Sequence, residues 1–145
     1  MARHLTNLEK LSRGELPHPP IAQLIGFQLT SVRHGEAVVE LEASDTHANP
    51  MGTLHGGVLC DIADAAMGIA FASTLEEGES FTTLELKINF LRPVWKERLR
   101  AIAKVVKRGN TVGMVECDVF NSEDALVARS SSTCMVLRGD QARGR

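Results

Sequence analysis

Residues 47–74 read HANPMGTLHGGVLCDIADAAMGIAFAST, and the passage from a glycine pair into an apolar run decides how the rest of the chain must fold. Asn49, Pro50, Gly52 and Gly56-Gly57 are turn-forming residues, so they make a loop that stops where a helix starts. Beyond it, Val58, Leu59, Ile62, Ala63, Ala66, Met67, Ile69, Ala70 and Phe71 predict one long helix from about Gly56 to Leu75. That helix is apolar nearly all round, and such a helix has to be wrapped by other structure.

The flanking sequence supplies the wrapping. Ahead of the loop, Phe27–Arg33 and Glu36–Ala43 read as strands about a His34-Gly35 turn. Behind it, Leu84, Leu86, Ile88 and Phe90 alternate with Thr83, Glu85, Lys87 and Asn89, which predicts a strand with an apolar and a polar face closed by Arg92-Pro93. Arg98–Lys107 and Thr111–Phe120 flank an Arg108-Gly109-Asn110 turn, and Ala125–Leu137 follows the turn at 121–124. The sum is α+β: two strands, a long helix, then four antiparallel strands, best satisfied by a curved antiparallel sheet around one central helix. Residues 1–20 hold a short amphipathic helix over residues 3–13 and a lead-in with Pro17, Pro19 and Pro20. One further turn is expected at Ile21–Ile25. Residues 138–145 read as a flexible polar tail, and the whole of 1–145 as a single domain.

The start of the central helix carries chemistry. Helix N-termini present free N–H groups with partial positive charge and hold negative oxygens well. Glycine at that point lets a ligand approach the backbone. Asp64, a carboxylate in an otherwise apolar helix, needs a partner or a role. Eight residues separate Gly56 from Asp64, about 12 Å along a helix axis. One carbonyl cannot bond to Gly56 N–H and also lie within about 3 Å of a group held by Asp64 of the same helix. If both act on one substrate, the acid comes from a second copy, and the chain is an obligate homo-oligomer.

Composition narrows the alternatives. Of 145 residues, 16 are basic and 18 acidic, a net charge of −2, which does not mark a nucleic-acid binder. No apolar run reaches the ~18 residues of a membrane span, and the first twenty residues lack the core of a secretory signal, so a cytoplasmic location is expected. Cys60, Cys117 and Cys134 are odd in number and without CxxC spacing, which reads as reduced packing residues. His47, His55, Asp61 and Asp64 lack the spacing of metal ligands, and neither metal nor cofactor is expected. There is no G-x-S-x-G elbow to make a nucleophile of a serine.

The run N-P-x-G-T-L-H-G-G, the acid nine positions after His55, and the strand-rich half resemble the hotdog-fold acyl-CoA thioesterases of the PaaI-like, phenylacetate-degradation type, over roughly residues 20–137. The resemblance implies a hotdog fold and metal-free acyl-CoA hydrolysis by a homodimer, often a dimer of dimers. By that resemblance Gly56 N–H polarises the thioester carbonyl, Asn49 assists, and His55 organises the loop. Asp64 is the nucleophile or the general base for water, and Thr83, on the polar face of its strand, orients the water. CoA contacts are implied at Arg92, Lys107, Arg108, Gly109 and Asn110. Asp61, one turn before Asp64, is an alternative base or a like charge that raises its neighbour's pKa. Two other functions stay open: a hotdog hydratase or dehydratase, whose H-x-P loop is missing from this sequence, and a non-catalytic acyl-CoA binding module.

Overall fold

The protein's structure, a computed structural model, describes residues 2–145. Helices α1 (Ala2–Ser12) and α2 (Pro20–Ile25) lead into strands β1 (Phe27–Arg33) and β2 (Glu36–Glu42). A 3₁₀ turn (Asp45–His47) and the glycine loop precede α3 (Gly56–Ala72), after which come β3 (Ser80–Phe90), β4 (Arg98–Arg108), β5 (Val112–Phe120) and β6 (Leu126–Leu137). Proline opens α2, where its missing N–H costs nothing, and Gly26 closes it at φ 98°. Helix α3 stops three residues short of Leu75. Ser73 and Thr74 turn their hydroxyls back onto the Ala70 and Phe71 carbonyls at 2.6 and 2.7 Å, while Thr74 and Leu75 N–H tighten to three-residue bonds. The polar tail, expected to fray, forms a 3₁₀ turn at Gly139–Ala142.

All six strands join one antiparallel sheet in the order β1-β2-β4-β5-β6-β3. This is the hotdog arrangement of a curved sheet around a central helix. Residues Val58, Leu59, Ile62, Ala63, Ala66, Met67, Ala70 and Phe71 bury the broad side of α3 against the sheet. Here the expectation of a fully wrapped helix needs correction. Asp64, Ala65, Gly68, Ile69 and Ala72 form a stripe that faces the gap between the edge strands β1 and β3, and α1 covers that gap only in part.

A second correction concerns β3. Thr83 pairs with Cys134 and Glu85 with Thr133, so Leu84 is an extra residue, a β-bulge that shifts the alternation by one. Phe81 and Thr83 before the bulge therefore share the helix-facing side with Leu86, Ile88 and Phe90 after it. Leu84, assigned to the apolar face by simple alternation, is 55% exposed, and Thr83 is not on the polar face at all.

Candidate active site

At the N-terminal end of α3 the loop is held by its own side chains. Asn49 Oδ1 accepts the N–H groups of Met51 and Thr53 at 2.9 and 3.1 Å, and its amide donates to Thr53 Oγ1 at 2.7 Å. This is an Asx turn, so the first duty of Asn49 is to shape the loop. His55 caps the helix, its Nδ1 accepting Gly57 N–H at 2.9 Å. That bond needs a lone pair on Nδ1 and leaves the ring proton on Nε2. His47 bonds the Ile25 carbonyl through Nε2 at 2.6 Å and accepts Ser44 N–H on Nδ1, tying the loop to α2. Gly56 N–H has no hydrogen-bond partner among the described residues. The Phe90 ring lies against Gly56, and a Cβ added there would meet Phe90 Cζ at 2.9 Å. A larger residue would have to push that exposed ring aside.

Two turns along, Asp64 and Thr83 share a cleft of about 400 Å³ between α1, the Pro-rich lead-in, β1, β3 and α3. Helix positions Ala65, Gly68 and Ala72 are small, which is why there is room. Phe81, tilted against Phe71 with ring centroids 5.4 Å apart, walls it on the β3 side. The Asp64 carboxyl stands at the mouth with apolar surface around it. That desolvation, and secondarily the negative charge of Asp61, raise its pKa above the usual aspartate range. Desolvation also raises Asp61, which lies outside the cleft. Thr83 Oγ1 is 3.8 Å from Cys134 Sγ. Burial pushes the Cys134 thiol up, and the Asp64 charge adds to that effect, so the acid, the hydroxyl and the thiol form one neighbourhood. Burial and the Asp118 charge likewise raise Cys117 to about 12, so it remains a thiol.

The residues expected to meet CoA do not gather in one chain. Arg92 is exposed just beyond Phe90, at the Gly56 end of the helix. The Lys107–Asn110 hairpin lies at the other end, beside Phe71 and Thr74. Lys107 is exposed, but Arg108 is already engaged: Nε donates to Thr74 Oγ1 at 3.1 Å and Nη2 to Glu79 at 2.9 Å, with the guanidinium over the Phe71 ring. Gly109 turns tightly, since a Cβ there would overlap the Val112 carbonyl oxygen, and the Asn110 carbonyl accepts from Arg138. Arg108, Gly109 and Asn110 thus hold the hairpin together. Sequence reasoning missed the N-terminal wall of the cleft, chiefly Leu8, Leu11, His18 and Ile21. The available signal was an amphipathic α1 whose apolar side needed something to cover.

Among the described residues no helix is long and apolar enough to cross a membrane, and no cluster of His, Cys, Asp or Glu has the makings of a metal site. A family model described as Thioesterase superfamily matches residues 51–128. The 1,4-dihydroxy-2-naphthoyl-CoA hydrolase of Listeria monocytogenes is 30% identical over 118 residues, covering 81% of this chain and 96% of that protein. Among solved structures, a phenylacetic acid degradation-related protein of Ralstonia eutropha JMP134 is 33% identical with a TM-score of 0.79, over 88% of this chain and 98% of that one. The Escherichia coli PaaI protein, at 24% identity, superposes with a TM-score of 0.82 over 94% and 97% of the two chains, a likeness of fold.

Proposed function

The chain belongs to the thioesterase superfamily, and from that premise we propose that it hydrolyses an acyl- or aryl-CoA thioester to the free acid and CoA at a site shared by two protomers. The observation that carries this reading is the unbroken α3. It keeps the unpaired Gly56 N–H and the Asp64 carboxyl about 12 Å apart in any one chain. Two copies complete the site by bringing the Gly56 end of one helix to the Asp64 stripe of the other. Strand β3 supports such pairing, being an eleven-residue edge that carries exposed Leu84 and Phe90.

In this scheme the thioester carbonyl oxygen accepts Gly56 N–H and the positive end of the α3 dipole, which stabilise the oxyanion as the tetrahedral intermediate forms. Asp64 takes a proton from water while its oxygen bonds to the carbonyl carbon. Thr83 holds that water. The intermediate collapses with cleavage of the C–S bond, and the thiolate leaves to be protonated as CoA. The raised pKa of Asp64 suits a general base, because a stronger base removes a proton more readily. Attack by Asp64 itself to give a mixed anhydride is the alternative. Label appearing in Asp64 after a single turnover in H₂¹⁸O marks the anhydride route with water opening the anhydride at the Asp64 carbonyl, since the general-base route puts the label only in the product acid. The cleft takes the acyl group, and Arg92 with Lys107 of the partner suits the phosphates of CoA.

Thiol release from a panel of acyl-CoA esters tests the reaction. Enoyl absorbance changes without thiol would replace it with a hydratase, and stable binding without either product would make the chain a binding module. Mixing Gly56→Ala with Asp64→Asn protein tests the sharing. Heterodimers carry one site with both groups intact and regain activity, whereas a site built within one chain regains none.

A further inference from the structure

Apart from Asp64 and Thr83, His18 is the one residue lining the cleft that has a polar side chain. Its placement is fixed from both sides. Pro19 after it restricts its backbone to extended conformations, and its carbonyl accepts the Gln23 side-chain amide at 2.7 Å. Its Nε2 accepts the Leu29 N–H of edge strand β1 at 3.1 Å. A nitrogen that accepts carries no proton, so the neutral ring bears its proton on Nδ1. That N–H has no acceptor among the described residues. The ring is half-buried, and its Nδ1–H, open to solvent, is an oriented donor available to an acceptor in an otherwise apolar wall.

We propose that His18 is a specificity-determining residue. Its Nδ1–H donates to an oxygen on the acyl group, remote from the thioester, so the enzyme prefers acyl groups with a ring hydroxyl, ether or carbonyl over their plain hydrocarbon counterparts. This rests on the reading of the cleft as the acyl site. The cleft floor of α3 runs from Asp64 to Ala72, about 12 Å, long enough for an aromatic ring to lie along it. A latch that merely pinned the lead-in to β1 would be satisfied by the Leu29 bond and would be indifferent to the substrate.

The experiment compares kcat/KM for matched esters: benzoyl-CoA against its three hydroxybenzoyl isomers, and phenylacetyl-CoA against 4-hydroxyphenylacetyl-CoA. The expected result is a preference of about tenfold for at least one oxygenated member of a pair, the worth of one added hydrogen bond. His18→Leu brings that ratio to near one. His18→Gln, whose amide can accept from Leu29 N–H and still donate, restores part of it, which a purely structural role would not do. No preference in the parent protein, or a preference that survives in folded His18→Leu, overturns the proposal. Should no ester release thiol, the hydrolase reading fails, and the Kd ratio of the same pairs by calorimetry then decides the role of His18.

Discussion

The two ends of α3 are built on opposite principles. At the C-terminal end Ser73, Thr74, Glu79 and Arg108 are bound to one another and to their neighbours. Ser73 Oγ donates to Ala70 and accepts Gly35 N–H at 2.7 Å, Thr74 accepts from Arg108, and Glu79 takes both Arg108 and Arg138. At the N-terminal end, and along the stripe that leads from it, groups are oriented but not consumed: an amide without an acceptor under an aromatic ring, and a carboxyl facing apolar walls. Saturation locks the hairpin and the end of the helix in place. Incomplete pairing on a rigid support is what a reactant can exploit, because nothing must be broken before it binds.

The contrast can be broken most severely at the unsaturated end. Asp64→Asn is expected to lower kcat by about 10²–10⁴-fold in a thiol-release assay. It should also raise Tm at neutral pH. The Asp64 pKa is raised in the fold, so its carboxylate costs stability once pH climbs through that pKa, and the gain should vanish in acid, where wild type is protonated too. Gly56→Ala comes next. The new methyl has to displace the Phe90 ring, and kcat/KM is expected to fall about 10²-fold, with partial recovery in Gly56→Ala/Phe90→Ala.

At the saturated end the loss should be of stability with no change in kcat. Glu79 is 9% exposed and bridges two guanidinium groups, so Glu79→Ala is expected to cost about 2 kcal/mol and about 6 °C of Tm by calorimetry. Burial alone would raise its pKa, but the Glu76 N–H and the two arginines outweigh burial and hold it low. Its stabilisation is thus complete above the usual glutamate range and lost as pH falls through the lowered value, so the two proteins should converge in acid. The smallest effect is a shift of position. Asp61→Asn removes the like charge beside Asp64, and the acid limb of the kcat/KM profile should move to lower pH.

Most of this architecture was written locally. The strands, the hairpin and the helix start follow from alternation, turn residues and capping, each decided by neighbours a few positions away, and their ends agree with the fold to within three residues. What was hidden depended on contacts between distant segments. Period-two counting cannot register an extra residue whose only sign is the pairing of Thr83 and Glu85 with adjacent residues of β6, so Thr83 was placed on the wrong face. Arg108 looked like a free cation because its partners Thr74 and Glu79 lie 34 and 29 residues away. The N-terminal wall went unseen because an amphipathic helix declares that it covers something without saying what.

The inserted Leu84 works as a phase shifter. Its excision alone would restore strict alternation and leave every other side chain on its present surface and opposite its present partner. Were Leu84 kept but drawn into the ladder, one half of β3 would turn over, and the hydroxyl would leave the acid or the aromatic would leave the glycine. One unpaired residue thus decides which of two inventories the strand shows the helix, with no change in any residue that does the chemistry.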